Sequence, residues 1–349
     1  MSSITPSLDA GSRYSGNPAR LASNVGMCIR GVAIWGNGFT LSPEDAQGLI
    51  RLDSRNRDVL LPYVGGHDLN SRPDLSGSRW VIDFQGWPEE RAKTYRECYT
   101  QVLREVKPER QKTNKAAFRD YWWQHGERRP ELRRAIEGLG QVIAMALVSR
   151  TVMPVLVQTG PVFSHKVAIF ATSETAILAV LSSAHHYWWT VRNSSTMKAD
   201  VNYSPTDVFQ TLPLPALTQA LHQSGEALST YRRDVMLSRQ AGLTATYNLV
   251  FDPKCNDDDI VELRRIHRDI DDAVCYAYGW EDIVGSGLDH GFHRAGAYIR
   301  YTVGPTVQRE ILDRLLELNH ERYAEEVTKG LHDKKVSRKA VNAEQGTLI

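Results

Sequence analysis

The sequence has few of the features that mark a secreted or membrane-bound protein. It contains only 4 cysteines in 349 residues, none of them in a CxxC pair, which indicates free thiols rather than a disulfide framework. No apolar run approaches the roughly 18 residues that a membrane-spanning helix needs. The first 16 residues, rich in Ser and Gly, lack the basic and apolar regions of a signal peptide. We therefore expect a cytoplasmic protein that does not contact a membrane.

Motifs of the common nucleotide-binding and DNA-modifying enzymes are also missing. Adenine-modifying DNA methyltransferases need a Gly-rich cofactor turn and an Asn/Asp/Ser-Pro-Pro-aromatic tetrapeptide that holds a flipped base. Residues 17–20 (NPAR) lack the second proline and the aromatic residue, and residues 36–39 (GNGF) lack a third glycine. There is no P-loop and no carboxylate cluster of the kind that a metal-dependent nuclease requires. We expect no catalytic, cofactor or metal site in this chain, which leaves its status as an enzyme open.

The charge is balanced overall but unevenly distributed. The net charge is +1, and 42% of the residues are hydrophobic, enough to bury a substantial core. Residues 104–134 carry ten Lys/Arg against five Asp/Glu, whereas residues 256–284 carry nine acids against three bases. The basic segment is compatible with contacts to phosphates, and a solvated helix face is the alternative interpretation.

The pattern along the chain predicts an α+β fold. Three β-rich runs, at residues 141–148, 154–158 and 166–171, indicate a partly antiparallel sheet. A long apolar helix is predicted from Ser173-Glu174 to about Arg192, and an extended polar segment follows at residues 196–203.

Prolines and composition predict the domain boundaries. Pro213 and Pro215 interrupt regular structure, and the pattern after them is helical. The predicted divisions are a flexible N-terminal tail or linker at 1–24, a mixed domain at 25–215, a helical C-terminal region at 216–330 and a flexible tail at 331–349.

An ordered set of short strings carries more information than any single residue. The strings lie at residues 36–44, 61–70, 79–84, 106–110, 121–123, 129–133, 180–185, 203–215, 242–249 and 277–280. In this order the chain, from about residue 24 to 326, resembles the C-terminal half of MmeI-like adenine-N6 DNA methyltransferases. Such enzymes occur in restriction–modification and phage-defence systems.

The resemblance implies a function in DNA recognition without catalysis. In that family this half holds a target recognition domain followed by a helical region, and the catalytic motifs lie upstream. The chain is therefore expected to bind double-stranded DNA for a methyltransferase domain or subunit encoded upstream, where S-adenosylmethionine would bind. We expect no methyl transfer by this chain alone.

The resemblance also points to the residues that would read DNA bases. In the family, the strand before the Tyr-Ser-Pro signature contacts bases in the major groove, and here the corresponding strand is residues 196–203. Lys198, Asp200 and Asn202 alternate along it, so one face of an extended strand would present all three side chains. Their groups suit guanine, cytosine and adenine edges, respectively. The alternative is an exposed edge strand that polar residues keep soluble.

Other residues are expected to contact the DNA backbone or to position the protein on the DNA. These candidates are Arg192, Tyr203, Ser204, Lys107, Arg110, Lys112 and Lys115. His185 is a further possible DNA contact, although a packed core histidine is the alternative. Trp122, Trp123, Trp188 and Trp189 suit a core better than a stacking surface.

A second hypothesis belongs to a different class. The chain would be a protein-interaction or scaffold module of a defence system, without DNA binding of its own. Binding to duplex DNA that weakens steeply with salt would separate the two hypotheses.

Overall fold

The computed structural model describes residues 15–197 and 200–333. The chain divides into two compact units. The sheet unit comprises residues 29–173 and 232–247, and the described part of the helical unit comprises residues 15–28, 174–197, 200–231 and 248–333. The predicted domain boundaries stay predictions.

The sheet unit is built on two four-stranded sheets. The first has the order β1-β9-β5-β7, and its central strand β5 is antiparallel to both β7 and β9. The second has the order β2-β4-β3-β8 and is antiparallel except for the parallel β3–β8 pair. The strands are β1 Cys28–Arg30, β2 Thr40–Leu41, β3 Leu60–Val64, β4 Arg79–Ile82, β5 Gln141–Ala146, β6 Val148–Ser149, β7 Val155–Gln158, β8 Val162–Phe163 and β9 Val167–Phe170. The predicted strands in residues 141–171 are thus confirmed.

Short helices surround these strands. The first begins as its sequence predicts, because the Ser42 side chain accepts a hydrogen bond from the Asp45 amide and Pro43 occupies the first helical position. Its buried residues Ala46 and Ile50 pack into a core with Phe39, Val81 and other apolar residues. The helices are α1 Pro43–Leu52, α2 Gly66–Ser71, α3 Glu89–Lys93, α4 Arg96–Glu105, α5 Lys107–Gln111, α6 Ala116–Asp120 and α7 Pro130–Ala135.

The helical unit is formed by helices with two small hairpins. Its elements are α8 Thr175–Ser182, α9 Ala184–Asn193, β10 Ser195–Met197, β11 Asp200–Asn202, α10 Gln219–Ser238, α11 Leu243–Val250, α12 Asp258–Tyr278, α13 Glu281–Ser286, β12 Gly291–Ala295, β13 Tyr298–Thr302 and α14 Pro305–Thr328. Parts of α10 and α11 belong to the sheet unit. Helix α12 ends as predicted at Gly279, whose φ of 75° is left-handed.

The predicted long helix before the polar segment is interrupted. Ser183 adopts an extended conformation (φ −75°, ψ 161°), and its hydroxyl accepts a hydrogen bond from the His186 amide, so it ends α8 and caps α9. Nearly every side chain of α8 is buried, as are residues 184–190 of α9. These two helices pack against α12, and α9 also packs against α14.

The segment before β1 packs against α14 in the part of the chain that the structure describes. Asn319 donates a hydrogen bond to the Ala19 carbonyl and accepts one from the Ala19 amide, both at 2.8 Å. The Glu326 carboxylate accepts from the amides of Ala22 and Ser23. Leu21 is buried as well. The contacts span about 300 residues of sequence, so no local pattern reveals them. Residues 1–14 of the predicted tail lie outside the described residues.

The architecture confirms the predicted α+β class. Antiparallel sheets lie in the N-terminal part of the chain and helices predominate in the C-terminal part. Among the residues that the structure describes, no helix has the length and apolar character needed to span a bilayer.

Candidate nucleic-acid interface

The predicted reading strand is a hairpin. Strands β10 and β11 are antiparallel, with Ser195 opposite Asn202 and Met197 opposite Asp200. A single extended strand over residues 196–203 is therefore the wrong prediction, because the chain direction reverses between Met197 and Asp200. Lys198 lies outside the described residues.

Two of the three predicted base-reading residues remain on one face. Asp200 and Asn202 alternate within β11, and both side chains are half-buried. The Asn202 amide nitrogen donates to the Ser195 hydroxyl at 3.2 Å across the hairpin. This contact uses one of the two N–H groups of Asn202. The face thus offers a carboxylate acceptor, an amide and a hydroxyl, groups that form hydrogen bonds with base edges. Ser195 was not among the predicted residues, although the residues around it in the sequence are polar.

Tyr203 anchors the C-terminal end of the hairpin in the core. Its side chain is buried, and its hydroxyl lies 3.1 Å from His186 Nε2. His186 Nδ1 lies 2.7 Å from the Leu181 carbonyl, so Nδ1 carries the proton and Nε2 accepts from Tyr203. Burial lowers the pKa of His186 to about 4, which keeps the ring neutral as this acceptor role requires. Tyr203 therefore positions the hairpin through the core rather than through a contact with the DNA backbone.

The residues on either side of the hairpin are also fixed. The Trp189 indole N–H contacts the Val208 carbonyl and the Thr211 hydroxyl, each at 3.2 Å, and so joins α9 to the segment after the hairpin. Ser204 caps a π-helical turn at Pro205–Phe209, accepting from the Asp207 amide and donating to its carboxylate. The polar hairpin is thereby anchored in the core through Tyr203, and Trp189 joins the helix before it to the segment after it. This is the arrangement that accurate recognition requires.

Arg192 is the basic residue nearest to the hairpin on α9. It lies in the last turn of the helix and is half-buried. It precedes the first hairpin residue, Ser195, by three positions. Its contact with the DNA backbone stays a prediction.

His185 is placed where it cannot contact DNA directly. The side chain is buried, Nε2 lies 3.3 Å from Cys275 Sγ, and the ring stacks beside Tyr278 and Trp280 at about 6 Å between centroids. Burial lowers the pKa of His185 to about 4 and raises that of the Cys275 thiol. The core interpretation holds for His185, and also for the buried Trp122, Trp123, Trp188 and Trp189.

The basic segment of the sheet unit contains residues with different roles. Arg110 is buried, and its guanidinium donates to the carbonyls of Trp35, Ile34 and Gln124, so it holds the backbone and is not available to a phosphate. Lys107 is half-buried, with its ammonium 4.8 Å from the centre of the Trp122 ring. Lys112 and Lys115 are exposed and remain candidates for phosphate contacts.

The described residues contain no group of three or more His, Cys, Asp or Glu side chains arranged to hold a metal ion.

Comparison with known proteins connects this arrangement to a family. Residues 19–216 match the family described as MmeI, target recognition domain. Among solved structures, the chain is similar to the Type IIL restriction–modification enzyme MmeI in complex with DNA, with a TM-score of 0.64 and 15% sequence identity. The similarity covers 92% of this chain but only 39% of the enzyme. At this identity the likeness shows a shared fold. No curated protein sequence matches the chain.

Proposed function

The chain belongs to the MmeI target recognition domain family, and from this premise we propose that it binds double-stranded DNA and selects a particular base sequence. The selection would serve a restriction–modification enzyme. The observation that carries the proposal is the β10–β11 hairpin, because it presents Asp200 and Asn202 on one face while Tyr203 fixes its end in the core.

The finer part of the proposal concerns the reaction that the recognition serves. The selected site would be methylated at adenine N6 by a catalytic domain or subunit that binds S-adenosylmethionine outside these residues, in a system that protects a bacterial or archaeal cell from phage. The chain spans well under half of the enzyme to which it is similar. Its own contribution would be binding and orientation of the duplex.

Selection from a pool of randomised duplexes tests the proposal. The purified chain should enrich one motif, and its affinity for that motif should fall steeply as salt rises, because phosphate contacts release counterions. Enrichment without a motif would leave DNA binding but contradict sequence recognition. Absence of duplex binding at low salt would contradict the proposal and favour a scaffold function.

A further inference from the structure

An exposed tryptophan in the sheet unit is held out of the core by the backbone around it. Trp35 is 54% exposed and adopts a φ of 47°, in the left-handed region that side chains other than glycine rarely occupy. Such a conformation is strained and persists only where the surroundings impose it. Here they do, because the buried Arg110 guanidinium binds the carbonyls of Trp35 and Ile34, each at 2.9 Å.

The Trp35 ring contacts neighbouring residues of the sheet unit. Gly126 lies against it so closely that a Cβ at this glycine would sit 2.2 Å from Trp35 Cδ1. Phe118 packs nearby, with 6.3 Å between ring centroids. About half of the Trp35 surface nevertheless stays exposed. The fold thus stabilises an aromatic platform at the surface.

The charge around the platform is positive. The Lys115 ammonium lies 5.7 Å from the centre of the Trp35 ring and 5.0 Å from that of Phe118. Lys112 is exposed on the same segment, and within the described part of the chain neither ammonium forms an ion pair with a carboxylate. An exposed indole beside unpaired cations suits a ligand that has an apolar surface next to an anion.

We propose that Trp35, Lys112 and Lys115 form a second DNA contact, which binds the sugar–phosphate backbone of the duplex. The indole packs against deoxyribose, and the two ammonium groups neutralise phosphates. A contact of this kind adds affinity on every sequence and leaves base preference unchanged. The inference rests on the proposed function, since it presumes that the chain binds DNA.

Trp35→Gly and Lys115→Gln test the contact separately from folding. Glycine adopts a φ of 47° without strain, so Trp35→Gly removes the ring while the backbone conformation is retained. Fluorescence anisotropy would compare a duplex carrying the selected motif with an unrelated duplex of equal length, over a series of salt concentrations. Matched controls are Tyr276→Ala, which is equally exposed on α12, and Lys254→Gln, in an exposed turn.

Trp35→Gly should weaken binding to both duplexes by roughly tenfold, with their ratio preserved. Lys115→Gln should weaken both and make the slope of log K against log salt shallower by about one. The controls should bind as the wild type does. If the wild type binds DNA and both variants bind equally well, the contact is absent, and an acidic protein would become the better occupant of the patch. A change in base preference on Trp35→Gly would also overturn the inference, because the ring would then read bases. No binding by the wild type would contradict the proposed function itself.

Discussion

Tyr203→Phe is the sharpest test of how the hairpin is anchored. The substitution keeps the buried ring and removes only the hydroxyl that donates to His186 Nε2 at 3.1 Å. The acceptor would then be buried without its donor. The Thr190 hydroxyl lies 3.4 Å from the same nitrogen, but it donates to the His186 carbonyl at 2.7 Å, so using it as a replacement breaks another hydrogen bond.

Leaving a buried acceptor unpaired costs about 1–3 kcal/mol of folding free energy. Urea denaturation at neutral pH should show a loss of this size for Tyr203→Phe. Tyr276→Phe, on the exposed face of α12, should change stability by less than about 0.5 kcal/mol. Equal stability of Tyr203→Phe and the wild type would refute the assignment of Tyr203 as the anchor.

Three further predictions concern the core around the interface. Burial lowers the pKa of both His185 and His186 to about 4, so the unfolded chain binds more protons than the folded one below about pH 6.5. The free energy of unfolding should therefore be highest above pH 6.5 and fall by up to roughly 3 kcal/mol per histidine towards pH 4. Urea denaturation at a series of pH values measures this loss, and a urea midpoint independent of pH would contradict it. Asn319→Ala removes the hydrogen bonds of Asn319 to the backbone of residue 19 and to the Thr211 carbonyl. It should lower the free energy of unfolding by about 2–3 kcal/mol and expose residues 17–24 to proteolysis. Unchanged cleavage would argue against the packing of this segment on α14. Arg110→Lys replaces the two separate nitrogens that reach three carbonyls with a single nitrogen, so it should lower the free energy of unfolding in urea by about 1–3 kcal/mol. The salt dependence of DNA binding should stay that of the wild type, and a shallower salt slope would make Arg110 a phosphate contact.

Signals that depend on neighbouring residues were readable from the sequence. The start of α1 at Ser42 and Pro43 and the end of α12 at Gly279 follow from side-chain caps and glycine conformation, which are local properties. The strands of residues 141–171 follow from β-rich composition between turn residues.

Features that depend on tertiary contacts were not readable. The break between α8 and α9 is an exception, because its Ser183 cap is a local signal that the continuous apolar pattern obscured. Alternating polar residues fit one long strand as well as two short ones, so the hairpin pairing of Ser195 with Asn202 stayed hidden. Charge alone placed Arg110 and Lys115 in one class, although burial separates them. The strained Trp35 also had no local signal beyond the glycine that follows it.

The most direct test of the central claim is the base-preference profile of hairpin variants, obtained by sequencing duplexes selected from a randomised pool. Asp200→Ala and Asn202→Ala should each change the preference at one base position by about 1–3 kcal/mol, and Val201→Thr, on the other face of β11, should leave the profile unchanged. Profiles that stay identical to the wild type while affinity falls equally on every sequence would contradict base recognition by this hairpin.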